Sequence, residues 1–326
     1  MMKAVLCKSH GMPDALVVED VPSPDLTEGQ VLISVKACGV NFPDTLIIQG
    51  KYQFKPDLPF SPGGEVSGVI KAVGDGVTNV SVGDRVIAFS TWGGFAEELA
   101  VDANRLIKMS DKMEFEKASA FILTYGTSYH ALKDRANIQP GETLLVLGAS
   151  GGVGLAAIQL GKAMGARVIA AASTKEKLDV CAANGADELI NYSSDDLRAR
   201  VKGITQGAGV DVIYDPVGGP LSEKALRDMS WRGRFLVVGF AVGEIPKVPL
   251  NLALLKGCSI VGVFWGDFTR REPALNDANN QELMRLFEAG KISPHIHKVY
   301  PLAQASEALN ELLDKKVSGK VVLSTS

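Results

Sequence analysis

The stretch Gly148-Ala-Ser-Gly-Gly-Val-Gly154 is the part of this chain whose residue types could hold a charged ligand. It follows an apolar run ending at Leu147 and opens an amphipathic segment. Glycines there permit a tight turn and bring bare backbone N–H groups against a pyrophosphate, with a helix N-terminus aimed at the negative charge. The spacing departs from G-x-G-x-x-G once: Ala149 takes the first glycine position, with Gly151 and Gly154 in the other two. Between a strand and a helix, the pattern points to a dinucleotide. The next strand decides which one. NAD enzymes place Asp or Glu about 20 residues on, to bind the ribose 2′-hydroxyl. Here the run 167–172 ends in Ala172-Ser-Thr-Lys-Glu-Lys177, with no acid at that point. Ser173 offers a hydroxyl and Lys177 an ammonium one helical turn on, which suits a 2′-phosphate. NADPH is expected over NADH.

The elements around this turn alternate. Runs 143–147, 167–172, 188–191, 210–216, 233–239 and 259–265 read as apolar strands. Segments 153–164, 175–183, 196–203, 221–229, 252–256 and 280–289 read as helices. That alternation predicts a doubly wound parallel sheet. Before residue 124 the texture is different: short β-branched runs (30–37, 65–73, 84–88) separated by Pro- and Gly-rich turns predict a β-rich, barrel-like domain. Segments 297–300, 303–314 and 320–323 read as strand, helix, strand, and their pattern suits either domain.

The composition narrows the classes. With 326 residues, 46% apolar and 22% charged, the chain exceeds one average domain and can bury a large core. A formal charge of -3 argues against binding nucleic acid by phosphate neutralisation. No apolar leader opens the sequence, and the most apolar stretch is broken by Gln159, Lys162 and Arg167, so a soluble cytoplasmic protein without a membrane partner is expected. Cys7, Cys38, Cys181 and Cys258 are scattered and read as buried free thiols in a reducing compartment. His295 and His297, two apart on a strand, lack a third ligand nearby. No metal is expected.

The layout resembles the medium-chain dehydrogenase/reductase superfamily, and in detail its zinc-free quinone oxidoreductase branch. The residues that carry this are Cys38-Gly-Val-Asn-Phe-Pro-Asp44, Gln49-Gly-Lys-Tyr52, Leu58-Pro-Phe-Ser-Pro-Gly-Gly-Glu65, Val82-Gly-Asp-Arg-Val86, Thr124-Tyr-Gly-Thr127, the glycine turn and Val237-Val-Gly-Phe240. The resemblance covers essentially the whole chain. It implies an α/β protein with a GroES-like domain over residues 1–123, completed by 291–326, and a Rossmann domain over 124–290. Zinc-dependent members of the superfamily place metal ligands where this chain has Asn41 and Gly64, and an amide and a glycine replace neither thiolate nor imidazole.

For the cofactor, the resemblance implies Thr127 near the nicotinamide and Ser150, Gly151, Gly152 and Val153 at the pyrophosphate. Ser173, Lys177 and Tyr192 would surround the adenosine 2′-phosphate. Gly239 and Phe240 would lie by the nicotinamide ribose, and Phe264, Trp265 and Gly266 by the carboxamide. Lys320 matches a basic residue that reaches the pyrophosphate in some relatives, with an ordinary surface lysine as the alternative. With no Lewis acid, the substrate must already be electrophilic, as quinones and enones are, and hydrogen bonds must meet the developing oxyanion. Asn41 and Tyr52 are the candidate catalytic residues; each also has a packing role open to it, in a turn or against Phe54 and Phe60. Asp44 and Glu65 are expected to be structural. The reading is an NADPH-dependent quinone or enone oxidoreductase, with a 2-enoyl thioester reductase and an NADPH-binding protein of vestigial turnover as alternatives. The run 259–265 is expected at a sheet edge, where relatives pair across a two-fold axis. A homodimer is therefore expected.

Overall fold

The structure is a computed structural model that describes residues 1–325. The chain divides into two compact units: Met1–Leu123 together with the chain from Pro294 onward, and Thr124–Ser293.

The first unit opens with β1 (Met2–Leu6) and β2 (Val17–Val21), an antiparallel ribbon. There follow β3 (Gln30–Val40), the short helix α1 (Phe42–Ile47), β4 (Glu65–Val73), β5 (Arg85–Phe89), β6 (Glu98–Asp102), β7 (Leu106–Lys108) and α2 (Phe115–Ala118). The inward residues of β3 and β4, among them Val31, Ile33, Val35, Val66 and Ile70, pack with Val86 and Phe95 into one core. Alternation along these strands is what puts them on a common side.

The second unit begins in α3 (Ile122–Tyr129), which continues as a π-helical turn over His130–Arg135. It then alternates: β8 (Thr143–Leu147), α4 (Gly152–Ala163), β9 (Arg167–Ala172), α5 (Lys175–Ala183), β10 (Glu188–Asn191), α6 (Leu197–Ile204), β11 (Val210–Asp215), α7 (Pro220–Leu226), β12 (Met229–Val237), α8 (Leu250–Lys256), β13 (Ser259–Gly262), α9 (Trp265–Arg271) and α10 (Pro273–Glu288). The six strands are all parallel, in the order β10-β9-β8-β11-β12-β13. This is the doubly wound Rossmann order. Leu144 to Leu147 are wholly buried because helices cover both faces of the central strands. The expected strand 259–265 is shorter than the sequence suggests. Its neighbour β12 ends at Val237, opposite Gly262, and beyond that point the chain enters α9.

The chain then returns to the first unit. β14 (Ile296–Pro301), α11 (Ala305–Leu313) and β15 (Lys320–Ser324) complete it, giving a seven-stranded sheet in the order β14-β15-β3-β4-β5-β7 with β6 paired to β3. Among the described residues, no helix is long and apolar enough to cross a membrane. Cys7, Cys38 and Cys181 are buried free thiols; Cys258 is only partly buried.

Candidate active site

In the second unit β8 leads through Gly148 into α4. The N-cap of α4 is Gly151, so no side chain caps the first helical N–H groups, and they are left to an anion. The two glycines of the turn serve different ends. A Cβ at Gly154 would lie 2.6 Å from Ala149 O and 2.7 Å from Gly148 O, so this glycine lets helix and turn pack. A Cβ at Gly151 would meet only Gly148 O, at 3.5 Å, so that side stays open to a ligand. Ser150, just before Gly151, is buried, and Gly152 and Val153 open the helix.

At the next strand end, Tyr192 N–H donates to Ala172 O at 3.1 Å, which draws the Tyr192 and Ser173 side chains together. Their hydroxyls are hydrogen-bonded, and this offsets part of the rise that burial imposes on the phenol. Thr174 caps α5 by accepting the Lys177 N–H at 3.3 Å, which fixes Lys177 in the first turn. Lys175 pairs with Asp179 instead. Two hydroxyls and an ammonium, with no carboxylate ending β9, are a donor set that fits a 2′-phosphate.

The remaining cofactor candidates fall into two groups. Thr127 lies on α3, where its neighbour Ser128 donates to Val153 O at 2.9 Å and shares a 2.8 Å bond with the Tyr214 hydroxyl. Gly126 on the same helix sits against Trp265, whose indole a Cβ would approach within 2.9 Å. This brings Thr127, Val153 and Trp265 into one neighbourhood. Trp265 is buried, so its ring serves packing, whereas the Phe264 ring is exposed and Gly266 follows in the first turn of α9. Gly239 and Phe240 follow β12, held by Gly239 N–H to Asp215 O and Ala241 N–H to Pro216 O. Asp215 went unremarked in the sequence. Its carboxylate accepts from the Val217 and Gly218 N–H groups and the Ser222 hydroxyl, and so shapes the loop after β11. An acid ending an apolar strand before Pro-Val-Gly-Gly was the available signal.

In the first unit Asn41 precedes α1, and Asp44 reaches back to accept its backbone N–H at 2.7 Å. The Asn41 side chain is 6% exposed and fully engaged. Its Nδ2 donates to Gly39 O and to Glu65 Oε2, each at 3.2 Å, and its Oδ1 accepts from Lys320 Nζ. An amide has two N–H donors, and both are taken. The expectation that Asn41 donates to an oxyanion therefore does not fit this geometry. Lys320 departs from expectation too. It is neither a surface lysine nor free to meet a pyrophosphate: 6% exposed, it donates to Val40 O at 3.1 Å and to Asn41, and lies 3.6 Å from Glu65 Oε2. The reason is its place on β15 beside β3, where two buried carboxylates attract the ammonium. Burial raises Glu65 and Lys320 opposes the rise; burial pushes Asp44 up to about 7 against the Asn41 N–H and Lys320.

Tyr52 is partly buried against the same core that holds Phe60, and its ring centroid lies 5.9 Å from that of Phe54. Burial, then the nearby Asp44 carboxyl, raises the phenol, so it keeps its proton. Among the described residues no three His, Cys, Asp or Glu side chains stand together as a metal site. At Asn41, moreover, the amide oxygen already holds an ammonium, which would repel a dication. These residues do not fit a zinc ion.

The comparisons with known proteins agree with the fold. Residues 27–111 match the alcohol dehydrogenase GroES-like domain, and residues 152–280 match the family described as zinc-binding dehydrogenase. The chain is 42% identical over 327 residues to a quinone oxidoreductase-like protein 2 homolog of Nematostella vectensis, covering 99% of this chain and 89% of that one. It is 36% identical to the quinone oxidoreductase of Homo sapiens, covering 99% and 98%. The crystal structure of Escherichia coli quinone oxidoreductase complexed with NADPH superposes with a TM-score of 0.92 at 30% identity, over 99% of each chain. The fold is that of a medium-chain dehydrogenase/reductase with a GroES-like domain and a Rossmann domain. Within that superfamily the chain belongs to the quinone oxidoreductase branch. It is an oxidoreductase.

Proposed function

We propose that the protein is a zinc-independent reductase that uses NADPH to reduce quinones or other carbonyl-conjugated alkenes. The observation that carries the cofactor reading is the Ser173–Tyr192 hydroxyl pair, with Lys177 in the first turn of the following helix, at a strand end where NAD enzymes keep a carboxylate. The open N-terminus of α4 supplies the pyrophosphate donors. The Escherichia coli relative, whose structure was solved with NADPH, supports the same assignment. Bound there, NADPH supplies the hydride.

The chain's own part is to bind, orient and protonate. Gly151 to Val153 hold the diphosphate, Ser173, Lys177 and Tyr192 the 2′-phosphate, and Thr127, Gly239, Phe240 and residues 264–266 the nicotinamide end. Tyr52, kept protonated by burial, gives its proton to the substrate oxygen. Exposed edge strand β13, with Ile260 41% exposed, together with solvent-exposed Trp231 on the adjacent β12 and Leu254 on α8, supports a homodimer formed through this edge. The four scattered cysteines, free of disulfides, support a cytoplasmic location.

The test is NADPH consumption by purified protein with a panel of quinones, enones and enoyl thioesters, with and without chelator. Turnover of quinones or enones undiminished by chelator is the expected result. Tight NADPH binding with no turnover of any electrophile would leave only a binding role, and turnover confined to enoyl thioesters would move the assignment to that class.

A further inference from the structure

We propose that Lys320 is a positioning residue. Its buried ammonium locks the Asn41 carboxamide and so fixes the start of the segment that carries Tyr52. The assignment rests on Tyr52 serving the reaction proposed above.

Three strands converge on this ammonium. Lys320 is on β15, Val40 ends β3 and Glu65 begins β4, and Lys320 Nζ meets a group from each or from the residue that follows: Val40 O at 3.1 Å, Asn41 Oδ1, and Glu65 Oε2 at 3.6 Å. Glu65 is fully buried and its other oxygen accepts the Leu123 N–H at 2.9 Å. A lysine among apolar strand neighbours is costly to bury unless every donor finds a partner. Here two hydrogen bonds and the Glu65 ion pair meet the ammonium, and the partner with a consequence is Asn41.

The amide of Asn41 has a fixed sense because only its oxygen can accept from an ammonium. That directs Nδ2 to Gly39 O and Glu65. From this anchored residue a run of hydrogen bonds holds the chain up to Lys51, the residue before Tyr52. Asp44 Oδ2 takes the Asn41 N–H, and Thr45 Oγ1 donates to Phe42 O. Gln49 Nε2 donates to Thr45 O at 2.7 Å, and the N–H groups of Gly50 and Lys51 close on Ile47 O and Leu46 O. At the far end the Ile48 carbonyl accepts the Gly11 N–H at 3.0 Å. A six-residue helix cannot hold its own shape in isolation. Its two ends are therefore set from outside, and Lys320 acting through Asn41 sets the first.

The ammonium on Asn41 Oδ1 also disfavours a metal cation at this point. A positive charge already stands at Asn41, supplied by the chain itself, and it compensates two buried carboxylates, Asp44 and Glu65.

The experiment separates positioning from simple stability. Lys320→Met alone leaves Glu65 buried and unpaired, and should melt well below the parent. Lys320→Met/Glu65→Gln removes both charges and should recover most of that loss. In this folded double variant, amide hydrogen exchange over residues 42–52 should speed at least about tenfold, and kcat with a quinone should fall at least about tenfold, while the NADPH Kd changes less than about twofold. Asn41→Ala, which leaves the Lys320–Glu65 pair intact, should reproduce both effects and serves if the double variant does not fold. Parental exchange over 42–52, or parental kcat despite faster exchange, overturns the proposal. So does a tenfold weaker NADPH Kd with unchanged exchange, which would return Lys320 to a pyrophosphate contact. If the parent turns over no quinone or enone, the proposed function fails while the exchange measurement still decides whether Lys320 holds this segment.

Discussion

The Ser173 and Tyr192 hydroxyls are hydrogen-bonded to each other across the ends of the neighbouring parallel strands β9 and β10. Each holds the other in place, at the strand ends where the adenosine 2′-phosphate is proposed to bind. Ser173→Asp puts a carboxylate at the position NAD enzymes use. It should repel a 2′-phosphate and accept a 2′-hydroxyl, shifting the ratio of NADPH to NADH dissociation constants toward NADH by at least about tenfold. Fluorescence titration of both nucleotides checks it. A variant that weakens both equally would show that Ser173 is not beside the 2′ position.

Tyr52 is expected to act as a proton donor whose phenol stays protonated above the ordinary tyrosine range. Tyr52→Phe keeps the ring that packs beside Phe54 and the core, and removes only the hydroxyl. The expected loss in kcat is about 10²-fold, with the NADPH Kd unchanged. Because burial and Asp44 both raise the phenol, activity should persist as pH rises through 10 and decline only above it. A kcat profile over pH 6 to 11 on parent and variant reads this directly. An alkaline limb well below 10, or one shared by the Phe variant, would rule the phenol out.

What could be read from the sequence, and what could not, divides along physical lines. Strands β9 and β10 and helix α5 lie where the pattern places them, because apolar runs and amphipathic segments alternate without interruption there. The glycine turn was legible because strand, turn and helix come in contiguous order. Lys320 was not. A lysine is exposed by default, and nothing local reveals that Glu65 and Asn41, some 255 and 279 positions away, will receive its ammonium. Asn41 shows the same limit: residue type showed a donor, but not which acceptors engage its two protons. Trp265 was placed on a strand because its neighbours are apolar. Its burial against Gly126 is a tertiary contact that no periodicity encodes.

The glycine turn makes a paired prediction. Gly154→Ala forces a methyl within 2.6 Å of a backbone oxygen, where neither side can move cheaply, and should cost about 1–3 kcal/mol of stability. Gly151 has φ −72° and its nearest neighbour to an added Cβ is 3.5 Å away, so Gly151→Ala should leave the melting temperature close to parental. The same methyl stands on the side left open for a diphosphate. NADPH affinity should therefore fall at least about tenfold. Thermal melts and nucleotide titration on the two variants separate the packing glycine from the binding one. Equal stability losses would contradict the assignment.

Asp228 offers a pH test remote from the cofactor residues. Its side chain is 6% exposed, Oδ1 lies 3.7 Å from Arg198 Nε, and Oδ2 has no hydrogen-bond partner among the described residues. Burial pushes the carboxyl up to about 6, with Arg198 and Lys256 opposing and Asp196 adding to the rise. An unfolded aspartate titrates near about 3.9. Between those values the folded chain holds the proton more tightly than the unfolded one, so the group's stabilising contribution is complete below about 4 and is lost as pH rises through about 6. Asp228→Asn keeps the shape and removes the charge. The difference in melting temperature between variant and parent should grow in the variant's favour from pH 4 to pH 7, then level off. Allowing for screening by solvent and Arg198, the gain should be of order 1 kcal/mol, about 2 °C for a chain of this size. A difference that stays constant with pH, or a variant less stable than the parent at pH 7, would mean the carboxylate is well solvated or paired in solution.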